Sequence, residues 1–592
     1  MCGIVGYIGK KKNALEVLIE GLKHLEYRGY DSAGVAYIKN DKVFIEKATG
    51  RIKNLEKKIN YTDMANLGIG HTRWATHGKV NKTNSHPHSC EKITIVHNGI
   101  IENYVELKEE LLKKGYKFYS ETDTEVAAVL LNDLYKKEKN MLEAIKKFKE
   151  EATGAYAIAA ICEDELDTLY AIKKNSPLII GINKNENYVA SDVPAIINYT
   201  NKYITLEDGS YAKITQDRIE LYNNENKQIE PVIKTYEGTS QMISKCGYDH
   251  YMLKEINEQP AIITKTYENI NIPDLKEYKR IIIVACGSAM HAGLVGKNLI
   301  ETYGNIPVEV EIASEFRYKK LFLNKDDLII AISQSGETAD TLEAVKIAKK
   351  KGVKTLGIIN VKESSIAREV DNVIYTQAGP EIAVATTKAY SAQVLVLSYI
   401  AYNLAKDNND SKEIKNFLTD IKKLPETMKK VLSKEKEYQK IAKKIHKKSN
   451  MFYIGRSIDY ALCMEGSLKI KEISYLHSEA YAAGELKHGT ISLIEKDTPV
   501  IGIVTNKFIA DKTISNLKEV ASRGANVIYL TTNKLDKEDD FYNEKIVVPE
   551  VNPLLQPLVS IIPLQLVAYH VAKLNNCDID KPKNLAKSVT VE

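Results

Sequence analysis

The feature that most constrains this chain is an internal repeat. Residues 279–292, KRIIIVACGSAMHA, have a counterpart in residues 450–461, NMFYIGRSIDYA. The stretch 327–361, DLIIAISQSGETADTLEAVKIAKKKGVKTLGIINV, has one in 498–532, TPVIGIVTNKFIADKTISNLKEVASRGANVIYLTT. Each copy runs strand, turn, helix, glycine, strand, at an offset of roughly 170 residues. Apolar runs without polar alternation read as strands buried on both faces. Their alternation with helical patterns predicts parallel, doubly wound sheets. We expect two tandem α/β units, about 276–410 and 441–575, joined by a charged helix near 411–440.

The first 235 residues have another rhythm. Short apolar runs such as Gly3–Ile8, Ile93–Val96 and Ala155–Ile161 are separated by turns, and two helical patterns lie near Ala14–His24 and Asn103–Lys114. That mixture predicts a layered α+β sheet domain. The expected division is 1–235, a linker at 236–250, units at 251–430 and 431–575, and a polar tail at 576–592. Net charge is +5 from 83 basic and 78 acidic residues, too small an excess for a dedicated nucleic-acid binder. No apolar run reads as long enough to span a bilayer; Val394–Ala405 reads as a buried helix. The start, MCGIVGYIG, lacks the basic and apolar regions of a secretory signal, and seven scattered cysteines without a CxxC pair argue against disulfides or a zinc site. A cytoplasmic location is expected.

Candidate chemistry in the first half begins at Cys2. Removal of the initiator methionine would expose an N-terminal cysteine whose own α-amine, titrating near neutrality, could serve as its base. The segments LEYRGYDSAG (25–34), HTRWATHG (71–78), VHNGIIEN (96–103) and SETDTE (120–125) accompany it. They hold Arg28 and Arg73, two of only nine arginines, and the single tryptophan, Trp74. An arginine fork and an acid such as Asp123 can hold the two charged ends of an amino acid. Asn98 and Gly99 can donate a side-chain amide and a backbone N–H to an oxyanion.

In the second half SQSGET (333–338) sits at a strand-to-helix turn. Small hydroxyl residues and a glycine there make a phosphate cradle. Neither GxxxxGK[ST] nor GxGxxG is present. The second repeat reads TNKFIA at this place, so one phosphate site per chain is expected. Glu465, Lys469 and Glu472 share one helix face, which taken alone would be a solvated salt-bridged stripe. His488 follows, and Lys587 lies in the tail. A lysine near carboxylates and a histidine is equipment for carbonyl chemistry.

The first-half segments resemble the glutaminase domain of class II (N-terminal nucleophile) amidotransferases. EIASEFRY (311–318), SQSGETADT, KEISY, EAYAAGELKHG and the ending LAKSVTVE resemble the tandem sugar-isomerase module of the isomerizing glutamine:fructose-6-phosphate aminotransferases. The resemblance spans the chain. It implies a four-layer αββα sandwich followed by two doubly wound units. It implies Cys2 as nucleophile, Asn98 and Gly99 as oxyanion hole, and Arg73, Thr76, His77, Gly99 and Asp123 as glutamine ligands with Arg28 close by. Ser333, Gln334, Ser335 and Thr338 would bind the sugar phosphate, with Ser288 nearby. Lys587 would form an imine at C2, His488 of a neighbouring subunit would assist ring opening, and Glu472 would move the proton between C1 and C2. Lys469 and Glu465 would support it, Val384 and Ala586 would line the sugar, and Trp74 would gate an ammonia channel.

The implied reaction turns fructose 6-phosphate and glutamine into glucosamine 6-phosphate and glutamate, the first step of aminosugar biosynthesis. No cofactor, nucleotide or metal is expected, and the partners are the two substrates and a second copy of the chain. Ala289, Thr386 and Lys583 depart from the pattern. The rival readings are another amidotransferase, which would need pyrophosphate or nucleotide loops, a phosphosugar sensor, which would bring an output domain, and a chain whose synthase half has decayed to leave a glutaminase, for which Ala289 is the one hint.

Overall fold

The structure is a computed structural model that describes residues 2–75, 77–236 and 244–589. It divides into two compact units, Met1–Ser244 with the chain from Ala586 onward, and Lys245–Leu585.

The first unit stacks two antiparallel sheets. In the eight-stranded sheet, Gly3–Gly9 lies between Glu186–Ala190 and Leu67–Arg73. In the seven-stranded sheet, Gly154–Cys162 lies between Leu169–Lys174 and Ile93–Ile101. Strand period explains the run AYAIAAIC: Ala157, Ala159 and Ile161 pack with Ile4, Ile8 and Ile69 of the facing sheet, while Tyr156, Ile158 and Ala160 pack with Val126, Leu130 and Ile145 of helices. Helix Ala14–Leu25 covers the outer face of the other sheet. The layers are therefore αββα.

Helices Asp123–Glu138 and Met141–Glu151 were not among the two expected from periodicity. Every residue of Asp123–Tyr135 is buried, so the segment has no polar face to produce a 3.6-residue signal. Its start is fixed by Thr122, whose hydroxyl accepts from Glu125 N, while the Glu125 carboxylate accepts from Tyr119 N and Ser120 N just before the cap.

The second unit contains the repeat. Five parallel strands run in the spatial order Val308–Ile312, Arg280–Ala285, Asp327–Ser333, Lys354–Ile359, Asn372–Tyr375. The second sheet has the same order: His477–Ala482, Asn450–Gly455, Pro499–Val504, Asn526–Thr532, Glu544–Val548. In each, the order reverses between the first and third strands in sequence. Crevices for ligands open there, beyond the carboxyl ends of the strands. One apolar core runs through the unit and takes in helices Lys388–Ala405 and Gln556–Leu574.

Helix Gln556–Leu574 corrects one expectation, because its length and apolar composition would suffice to cross a membrane. In the fold 89% of its most apolar stretch is buried, so here it is a core helix. Two prolines, Pro557 and Pro563, and the polar Gln565 and His570 interrupted the run as read from sequence. Ile562 on this helix is fully buried. Ile562→Ala should lower stability by about 2–5 kcal/mol, read by denaturant unfolding; a change below about 0.5 kcal/mol would show that the helix does not carry the core.

Candidate functional site

In the first unit, strand pairing brings Cys2 to its neighbours. Gly3 pairs with Thr72, so Cys2 lies beside Arg73 and Trp74. Trp74 N donates to Cys2 Sγ at 3.2 Å, and Cys2 Sγ contacts Trp74 O at 3.5 Å. The facing sheet delivers Asn98, whose Nδ2 donates to Cys2 O at 2.9 Å. Gly99 has φ +123, and a Cβ there would come within 1.9 Å of Ala155 O, so the position admits only glycine. Asp123 Oδ2 accepts from Ile101 N at 2.9 Å. A small cavity of about 20 Å³ is lined by Cys2, Arg73, Trp74, His77, Gly99 and Asp123, together with His86, His97, Thr122 and Thr124.

Burial pushes the Cys2 thiol up; the Trp74 N–H and the Arg73 charge oppose it. A protonated thiol at neutral pH needs a base to attack. Arg73 donates to the carbonyls of His77, Gly78 and Lys79. Arg28 does not line the cavity: it is buried against Tyr27 and Asp192. Thr76 lies outside the described residues. Trp74 stands edge-on to Tyr30 with ring centroids 5.8 Å apart.

Taken one by one, His71, His77, His86 and His88 read more readily as structural than catalytic, and the fold stacks His71 on His86 at 4.0 Å between ring centroids. His71 Nε2 lies 2.9 Å from His97 O and 3.0 Å from Asn98 Oδ1. It thus fixes the amide whose other end faces Cys2.

In the second unit, the turns after adjacent strands Arg280–Ala285 and Asp327–Ser333 lie side by side. Gly336 has φ +65, and its N–H donates to Ser333 Oγ at 2.9 Å. Ser333 and Thr338 hydroxyls are 3.0 Å apart, and Ser335 Oγ accepts from Glu337 N at 3.1 Å. Gln334 stands half-buried in the same turn.

Helix Ile458–Ser474 of the other repeat packs against this edge. Glu465 and Lys469 side chains are wholly buried, not the solvated stripe that spacing alone suggested. Ser288 Oγ donates to Glu465 Oε1 at 2.9 Å, and Lys469 Nζ donates to Ser288 Oγ at 3.0 Å and to Glu472 Oε2 at 2.5 Å. His291, which sequence reasoning did not single out, adds a 2.8 Å contact from Nδ1 to Glu465 Oε2. Burial alone would push the Lys469 ammonium down, but Glu465 and Glu472 reverse the effect and hold it above the usual lysine range. Ala289 packs on the apolar core. Val384 N is held by Asp580 O at 3.0 Å. His488 is exposed in the turn Glu485–His488. Ala586 and Lys587 group with the first unit.

Comparison with known proteins places these geometries. A SIS domain model matches residues 274–402 and 444–574, and a Glutamine amidotransferase domain model matches 71–198. A glutamine–fructose-6-phosphate aminotransferase (isomerizing) of Clostridium tetani is 49% identical over 611 residues, covering all of both chains. Its namesake from Thermococcus kodakarensis is 46% identical over 606 residues, again covering all of both. The chain belongs to the isomerizing glutamine–fructose-6-phosphate aminotransferase family. The solved C-terminal domain of the Francisella tularensis glucosamine-fructose-6-phosphate aminotransferase is 38% identical, with TM-score 0.55, covering 57% of this chain and all of that one. Membership in this family matches the two-part architecture: a sandwich of amidotransferase type, then two SIS domains.

The histidine cluster has a measurable consequence. His71, His86, His88 and His97 are buried. Burial holds each below the ordinary imidazole range, His71 at about 3. Unfolded, each would titrate near ~6.5. Between the folded and unfolded values the unfolded chain binds more protons. Stability of the first unit should therefore be full above about pH 6.5 and fall below it, by about 1.4 kcal/mol per pH unit for each histidine. Denaturant unfolding followed from about pH 7.5 to 5 checks this; a flat profile would mean that the histidines titrate in the fold as they do in the unfolded chain.

Proposed function

We propose that the chain makes glucosamine 6-phosphate and glutamate from fructose 6-phosphate and glutamine. The observation that carries the reading is the coexistence on one chain of Cys2 against Asn98 and of the buried Ser288–Glu465–Lys469–Glu472 network beside the SQSGET turn.

In this reading Met1 is removed and the freed α-amine of Cys2 takes the thiol proton. The sulfur attacks the glutamine amide carbon, and Asn98 and Gly99 receive the oxyanion. Collapse expels ammonia and leaves a thioester, which water hydrolyses to glutamate. Arg73, Thr76, His77 and Asp123 hold the glutamine ends, and Arg28 acts from behind through Asp192. Ammonia passes internally, with Trp74 as gate. Transfer inside protein avoids protonation to ammonium, which is not a nucleophile.

At the second site Ser333, Gln334, Ser335 and Thr338 hold the phosphate. Lys469 keeps its proton, so it polarises oxygens and does not form the imine. That role falls to Lys587, whose amine condenses at C2 with loss of water and is displaced by ammonia. Glu472, the one network carboxylate with solvent access, at 20% exposure, moves a proton from C1 to C2. Val384 and Ala586 line the sugar. His488, exposed within its own chain, suits a neighbouring subunit's site, which makes the working enzyme at least a homodimer. The setting is the cytoplasm, and no cofactor enters the scheme.

Purified protein given both substrates should release glucosamine 6-phosphate and glutamate in equal amounts by mass spectrometry. Glu472→Gln should cut aminosugar formation by about 10²–10⁴-fold while glutamate release continues. Loss of both products together would remove Glu472 from the proton transfer.

A further inference from the structure

The second repeat carries a crevice where the first has its sugar site. It is a cavity of about 530 Å³, within the range of small-molecule sites. It opens at the same topological position, beyond the carboxyl ends of Asn450–Gly455 and Pro499–Val504. Ser457 stands after its strand where Ser288 stands after the first. Ser288 touches Glu465 and Lys469 on the helix of the opposite repeat, and Ser457 Oγ likewise donates to Asn298 Oδ1, 2.8 Å away on helix Gly287–Leu299. The two crevices are related by the repeat.

Their chemistry differs. Around the second cavity Asn298 and Thr302 line the wall, and the buried carboxylate beside it, Asp459, is taken up by hydrogen bonds from Thr505 and Asn506. The cradle hydroxyls are replaced, and Thr505, Asn506 and Lys507 face the space. Lys507–Glu413, Lys423–Asp420 and Lys534–Glu550 pair at 3.7, 3.6 and 2.9 Å, which leaves Lys412 as a positive charge in excess on the lining. Asn298, Asn416 and Asn506 offer amide donors and acceptors of the kind that bind hydroxyls. Phe508, 82% exposed, sits on the lining.

We propose that this cavity is a second, noncatalytic sugar-phosphate site, with Lys507 and Lys412 on the phosphate and Asn298 on the sugar. It holds a phosphorylated sugar without transforming it, and so gives the duplicated fold a regulatory input. The claim does not depend on turnover at the first site.

Calorimetric titration of the full chain with fructose 6-phosphate and with glucosamine 6-phosphate, glutamine omitted, tests it. Two sites per chain are expected for at least one of the two probes. Lys507→Glu and, separately, Asn298→Leu should weaken one of them by about tenfold or more, with kcat at saturating substrates within about twofold of wild type. Ser335→Ala should weaken the other. A single site for both probes, or a second site that neither Lys507→Glu nor Asn298→Leu moves, overturns the proposal. A folding defect would show as loss of the Ser335-dependent site too, and the remaining variant of the pair then decides. Failure of the catalytic reading would instead appear as a missing product with both sites intact.

Discussion

An ammonium with no access to water governs the second unit. Lys469 is wholly buried and stays charged because Glu465 and Glu472 surround it. Removing a single partner from such a group strands a buried charge, at a cost of about 3–5 kcal/mol. The network also spans the repeats: Ser288 and His291 come from the first, Glu465 and Lys469 from the second. It therefore fixes how the SQSGET turn faces the helix that carries Glu472. The site and the register between the two halves rest on the same few hydrogen bonds.

Duplication supplied the frame for this arrangement, and divergence put the chemistry on one side. Both sheets have the same strand order and open a crevice at the same place. Only one crevice meets a helix bearing a buried lysine and carboxylates. The other retains the serine-to-helix contact, with Ser457 on Asn298 where Ser288 meets Glu465 and Lys469.

The repeat was legible because strands buried on both faces appear as uninterrupted apolar runs. In the first unit the apolar runs gave only a layered α+β domain, and the αββα order came from the family resemblance; AYAIAAIC, buried on both faces, is the strand that joins the layers. Helix Asp123–Glu138 was not legible, since burial on every side erases helical periodicity. Glu465 and Lys469 read as a surface stripe because spacing places residues on one face without saying what that face meets. The resemblance sets Arg28 close to the glutamine site, and the fold shows what its sequence could not, an ion pair with Asp192 far along the chain. The four histidines were visible as residues, but only the strand pairing shows that His71 orients Asn98.

Glu465 and Glu472 hold the Lys469 ammonium above the usual lysine range, and the proposed imine on Lys587 rests on that electrostatic argument. The most direct measurement is reductive trapping. The protein is incubated with fructose 6-phosphate and cyanoborohydride, digested, and mapped by mass spectrometry. The account predicts a reduced sugar adduct on Lys587 and none on Lys469. An adduct on Lys469 would mean that its amine is neutral in the working site, and would contradict the account.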